Sequence, residues 1–186
     1  MANFYTQRSD VYITEPSGRL NMSRVYIPYT PTITVMSSSS YSSYTLTHSN
    51  FQQFAFDLSN NALFQVTFPI IVRDVVEIDT IVSMADFFRS SMKMGFGARD
   101  SDAGYPPPVL RFNAYGVYKN VPVVTTDFTW NFDSDVDYLD NGNGIKIPAS
   151  SVFSMTLQTT YGADKVRSQF TLKDFSQGNL RNQGYV

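Results

Sequence analysis

The chain has no cysteine and a single histidine, His48, among its 186 residues. Without cysteine there can be no disulfide, no thiolate nucleophile and no sulfur-ligated zinc. With one histidine no histidine metal cluster can be assembled, and little room is left for nucleophilic catalysis, since His48 would have to be its base. His48 is expected to lie in a turn, not to act as a lone base. No enzymatic activity and no cofactor are expected. Charge is also scarce, at 16% of residues against roughly 25% in an ordinary soluble domain. Such a surface suits a subunit that neighbours cover. The net charge is −2 and the pI about 5.2, so no basic excess is present to neutralise phosphates, and specific DNA recognition is not expected. No apolar run approaches the ~20 residues that span a bilayer. The opening Met1-Ala2-Asn3-Phe4 lacks the basic and apolar regions of a signal peptide. A soluble chain without membrane contact is expected. No phosphate-binding glycine loop is present either, since Gly95-Phe96-Gly97 is too short for one.

Aromatic residues, by contrast, are abundant: 12 Tyr, 15 Phe and Trp130 make up 15% of the chain. Flat side chains of this kind favour a pleated, half-buried surface, so a mainly β fold follows. They could also form a stacking platform for bases or sugars, but alternating strand positions account for most of them as packing. One segment reads as a helix, over residues 76–94. Ile78, Ile81, Val82, Ala85, Phe88 and Met92 recur at i, i+3, i+4 spacing and form a stripe expected to pack on a sheet. Glu77, Asp79, Asp86, Arg89 and Lys93 are read on the opposite side, and Gly95 and Gly97 end the helix.

The organisation expected around that helix is an extended N-terminal arm over residues 1–31, a β domain over 32–175 and a C-terminal tail over 176–186. Pro16, Pro28 and Pro31 punctuate the first segment, which makes it an arm or edge strand that can be deleted up to residue 27 without unfolding the rest. Strands are read at 32–36, 41–48, 51–58 and 63–68, with Pro69 ending the last. After the helix, Pro106-Pro107-Pro108 sets the entry angle of a strand at 109–115. The longest strand follows at 121–132, with Val123, Thr125, Asp127 and Thr129 on one face and Val124, Thr126, Phe128 and Trp130 on the other. Residues 133–144 read as a loop, and 145–147, 152–160 and 165–172 as further strands.

The densest acidic cluster is Asp133, Asp135, Asp137 and Asp140. Alternating aspartates suggest the first half of a calcium loop, but its sixth and twelfth places, which require Gly and Glu, are occupied by Tyr138 and Gly144. A solvated hairpin loop is the better reading, and in a ring of subunits these carboxylates would form an inter-subunit or lumen-facing collar.

Several short motifs occur in a familiar order. They are Thr47-His48-Ser49-Asn50-Phe51-Gln52, the helix end Met92-Lys93-Met94-Gly95-Phe96-Gly97, Pro106 through Gly116, Val121-Pro122-Val123-Val124, Asp135-Val136-Asp137-Tyr138, and Phe170 through Gly178. Together, across residues 32–180, the sequence resembles the baseplate tail-tube proteins of contractile-tailed bacteriophages, the tube initiators between baseplate hub and tail tube. The resemblance implies a tail-tube-like β-barrel or sandwich of two packed antiparallel sheets with a flanking helix. It further implies a homo-oligomeric ring of six copies in the virion tail, assembled in the host cytoplasm. The partners would be hub, tube and sheath proteins, and genome DNA would pass non-specifically through the lumen. The alternative reading is a monomeric β-sandwich that binds carbohydrate through exposed Tyr and Trp130.

Overall fold

The computed structural model describes residues 10–97, 99 and 101–186. Among these residues there are eleven strands: β1 (Val11–Thr14), β2 (Arg24–Tyr26), β3 (Thr32–Met36), β4 (Ser39–Tyr44), β5 (Gln53–Ser59), β6 (Leu63–Ile71), β7 (Leu110–Ala114), β8 (Tyr118–Phe132), β9 (Tyr138–Asp140), β10 (Lys146–Pro148) and β11 (Ser150–Thr159). The helices are α1 (Val75–Ser90), α2 (Ala163–Gln169) and α3 (Leu172–Ser176). Seven strands form one sheet in the order β2-β1-β7-β8-β11-β6-β3, and β9–β10 and β4–β5 form separate two-stranded ribbons. Every ladder is antiparallel. The mainly β class read from the aromatic-rich composition is what the chain adopts, and its sheets are antiparallel, as the resemblance implied.

The main sheet is strongly curled. Phe64 on β6 and Phe112 on β7 lie three strand positions apart, about 14 Å in a flat sheet. Their ring centroids are nevertheless 5.0 Å apart, and Tyr118 meets Phe64 edge-on at the same separation. Inside the curl, Phe64, Val66, Phe68 and Ile70 of β6 face Phe153, Met155 and Leu157 of β11, all fully or almost fully buried. Burial of each such side chain contributes about 1.5–3 kcal/mol.

Residues 10–31 do not form an arm. Residues 1–9 lie outside the described part, but Val11 and Ile13 of β1, Val25 of β2 and Ile27 just after it are buried in the core. β1 pairs with β7 over four residues and β2 closes the edge. The prolines fall between these strands and not within them, so they delimit a hairpin without preventing it. Pro69, for its part, does not end β6. β3 pairs with β6 only as far as Thr67, so Pro69 sits where one side of β6 is open and no ladder donor is required.

Strand β8 departs from strict alternation. Asp127 pairs with Thr156 and Thr125 with Leu157, leaving Thr126 unpaired as a β-bulge, its hydroxyl donating to the Thr156 carbonyl at 3.2 Å. The extra residue shifts the phase. Val121, Val123 and Thr125 face the core before it, and Phe128 and Trp130 pack against the core after it. The expected division of the strand into two constant faces is therefore wrong beyond Thr126. Residues 133–144 hold strand β9, which pairs with β10.

Residues 165–169 belong to helix α2 and Leu172 opens α3, with only Phe170 and Thr171 between them extended, so no strand forms here. Val166 and Phe170 lie four apart, the Phe170 amide donates to the Val166 carbonyl, and Tyr161 and Tyr185 stack at 5.0 Å beside them. The last residues likewise form no free tail. Leu180 and Tyr185 are buried, and Gly184, at φ 84, passes so close to β8 that a Cβ there would lie 2.5 Å from the Asn120 carbonyl oxygen.

Candidate interaction surface

Helix α1 covers one face of the curled sheet. Ile78, Ile81, Ala85 and Phe88 are buried, Val82 packs half-buried against the core, and Phe88 contacts Phe128 at 5.3 Å. Met84, Phe87 and Glu77 are buried as well. The covered arc therefore takes in roughly half of the helix circumference and is rotated toward a side read as polar. Glu77 is tolerated there because its carboxylate accepts the Arg73 amide at 2.8 Å. The helix ends earlier than expected: Ser91 forms its C-cap, and Met92 lies beyond it. The Ser91 hydroxyl donates to Thr125 Oγ1 at 2.9 Å, fixing the helix end over β8. At the other end Asn141 Nδ2 donates to Asp79 Oδ1 at 2.9 Å, so the β9–β10 hairpin docks against α1.

Met92 lines an open cleft of about 540 Å3 together with Arg89, Lys93, Phe128, Trp130 and Phe132. The Trp130 and Phe132 rings lie 4.5 Å apart, tilted by 31°, and Trp130 Nε1 donates to Ser151 Oγ. The cleft thus has an aromatic floor and a cationic rim.

The acidic residues do not converge. Among the described residues no group of three or more His, Cys, Asp or Glu is placed to hold a metal ion. The Asp133 and Asp137 carbonyls accept the Tyr138 hydroxyl and the Ala149 amide, and Asp135 accepts the Ser134 hydroxyl. Asp140 is held below the usual carboxylate range, first by the Gly142 amide and then by Lys146, whose Nζ lies 3.4 Å away. Asp133, Asp135 and Asp137 lie in the connection from β8 to β9, and Asp140 closes β9 at the start of the β9–β10 turn. His48 lies in the β4–β5 connection at φ 63, exposed.

Exposed large apolar side chains gather on and beside the β4–β5 ribbon: Tyr41, Tyr44, Phe51, Phe54, Phe56 and Leu58. The ribbon continues the β3–β6 pair outward past a junction in which the Asn60 amide donates to the Ser38 carbonyl at 2.9 Å and Asn60 Nδ2 donates to the Ser38 hydroxyl. Six or seven residues per strand carry it about 20 Å from the junction. Tyr41 opposes Phe56 with ring centroids 5.6 Å apart, and Ser43 opposes Phe54 on the same face. Ser42 donates to Asp57 on the reverse, polar face. Phe54 is 66% and Phe56 57% exposed, and Phe51 near the tip is 82% exposed. An isolated two-stranded ribbon is marginal in water, and a contiguous apolar face marks an interaction site. The alternation of Phe54 and Phe56 was legible as strand. That neither of its faces meets the core was not, because periodicity reports a face and not what covers it.

No helix among the described residues is long and apolar enough to cross a membrane. No known protein-family model matches this chain, and no curated protein matches it.

Proposed function

We propose that this chain is a structural subunit of a contractile-phage tail tube, or of the ring that joins such a tube to the baseplate hub, and that six copies enclose a lumen through which genome DNA passes. One observation supports the reading above the others: an amphipathic ribbon whose aromatic face is bare projects from a curled sheet whose outermost strands, β2 and β3, each lack a partner on one side among the described residues. A second copy covers both kinds of surface at once. Pairing across edges removes unsatisfied backbone groups, and burying Tyr41, Phe54 and Phe56 removes apolar area from water. Head-to-tail repetition of such a contact closes a ring when the rotation allows it. The scarcity of charge fits a surface largely covered in the assembly.

The competing reading, a carbohydrate-binding module, rests on the cleft floored by Trp130 and Phe132. The two are separated by light scattering and negative-stain imaging of the purified chain, alone and with tail proteins, alongside a glycan-binding screen. Rings with a central hole are expected. A chain that stays monomeric throughout and binds a glycan overturns the assembly reading.

A further inference from the structure

The β9–β10 connection contains the only two Asn-Gly pairs in the chain, Asn141-Gly142 and Asn143-Gly144. Glycine after asparagine leaves the backbone nitrogen open to attack the asparagine side chain, and the two sites are chemically alike until the fold distinguishes them. We infer that Asn143 is a site of spontaneous deamidation in the folded protein and that Asn141, two residues away, is protected from it. The inference is independent of the ring reading.

The step at Asn143 is an internal acyl transfer. The Gly144 backbone nitrogen, having lost its proton to solvent base, attacks Asn143 Cγ. The Cγ–Nδ2 bond breaks, ammonia leaves, and a five-membered succinimide remains. Water then opens the ring at either carbonyl, giving aspartate or isoaspartate. Nothing is oxidised or reduced. The reaction needs a mobile side chain and an amide that can lose its proton.

Asn143 meets both conditions. It is exposed, and among the described residues neither its side-chain amide nor the Gly144 N–H has a hydrogen-bond partner; only its own backbone N–H is engaged, to Asn141 Oδ1 at 2.9 Å. Gly144 lies at φ 88, a turn conformation without regular ladder contacts. Asn141 meets neither condition. Its Oδ1 accepts the Asn143 and Ile145 amides at 2.9 and 3.2 Å, and its Nδ2 donates to Asp79 Oδ1 at 2.9 Å. The nitrogen that would attack, that of Gly142, donates to Asp140 Oδ1 at 2.8 Å. A carboxylate on that N–H opposes its deprotonation, and the side chain must break three hydrogen bonds to swing its Cγ into reach. Breaking one hydrogen bond worth about 1 kcal/mol already slows a step several-fold, so three together place Asn141 at least about tenfold behind Asn143.

The product adds a carboxylate to a hairpin that already carries Asp140 and follows Asp133, Asp135 and Asp137 in the chain, so aged protein acquires a more acidic species. The test is peptide mapping of the full chain after incubation at mildly alkaline pH, native in one sample and unfolded in urea in the other. Tryptic cleavage after Lys119 and Lys146 yields one peptide holding both sites, and fragment ions assign the mass gain to one or the other. The native sample is expected to convert Asn143 at least about tenfold faster than Asn141, and the urea sample to convert the two at similar rates. Asp79→Ala, which removes an exposed partner of Asn141, is expected to raise the Asn141 rate in the native sample. Native conversion of Asn141 as fast as Asn143, or no native conversion at Asn143 when the urea sample reacts, overturns the inference.

Discussion

Replacing Phe54 and Phe56 together by serine separates a surface that stabilises the subunit from one that stabilises an assembly. Complete burial of a phenylalanine is worth up to about 3 kcal/mol. With Phe54 66% and Phe56 57% exposed, the free chain realises less than half of that for each. Truncation therefore costs the isolated subunit roughly 1 kcal/mol per site, plus about 0.5–1 kcal/mol for the Tyr41–Phe56 contact. That loss falls within a ribbon that is not part of the core, so cooperative unfolding of the main sheet should hardly change. What remains, about 1.5–2 kcal/mol per ring, is available only when a neighbour covers it. The double variant should therefore weaken association by about 3–4 kcal/mol, on the order of 10²- to 10³-fold at each contact. Native mass spectrometry across a dilution series measures the association, and urea denaturation of dilute protein measures the fold. Ser42→Ala, on the polar face, serves as the control and should leave association unchanged. Wild-type association by the double variant, or a loss of fold stability as large as the loss of association, refutes the reasoning.

Deleting residues 1–27 should unfold the protein: Val11, Ile13, Val25 and Ile27 together contribute about 6–12 kcal/mol, comparable with the whole stability of a domain, and loss of the cooperative transition by circular dichroism is the expected readout. Gly184→Ala should cost about 2–4 kcal/mol, since it combines a left-handed backbone with a Cβ 2.5 Å from the Asn120 oxygen. Gly178→Ala, at φ 75 but facing only the flexible Arg181 side chain, should cost about 1 kcal/mol in the same denaturation assay. Burial raises the Glu15 pKa, but the Ser17 hydroxyl and the Ser17, Gly18 and Arg19 amides outweigh it and hold the carboxyl below its ordinary 4.5. A depressed pKa gives stability that is present above 4.5 and lost as pH falls through the folded value. Glu15→Gln should therefore flatten the acid limb of a stability-against-pH curve, and an unchanged limb would exclude this turn as its source.

The sequence made the class of fold and its one long helix legible, because both rest on periodicity. Ile78, Ile81, Ala85 and Phe88 recur at helical spacing, and Phe64, Val66 and Phe68 alternate. What escaped was set by long-range pairing. Thr126 interrupts β8 only because Thr125 and Asp127 face successive residues of β11, and no feature of β8 by itself marks the extra residue. The N-terminal hairpin was obscured by prolines that lie between its strands. Residues 165–172 are too short for either period to prevail, and docking of Tyr185 and Tyr161 beside them decides the outcome. In the candidate surface, the aromatic residues could be named in advance. Which of them remain bare depends on where the ribbon leaves the sheet.

The trio of Phe64, Phe112 and Tyr118 works as a wedge that fixes how tightly the sheet bends, since the Phe64 ring on β6 meets Phe112 and Tyr118 on β7 and β8, neither of which is hydrogen-bonded to β6. Trimming one of them would do more than leave a void. β2 and β3, at the two extremities of the bend, would swing relative to each other, and a change made at the centre of the molecule would reach its neighbours as an altered angle of approach. In the proposed ring that angle would determine how many copies fit, so the width of the bore would be set by the girth of Phe64, Phe112 and the half-buried Tyr118.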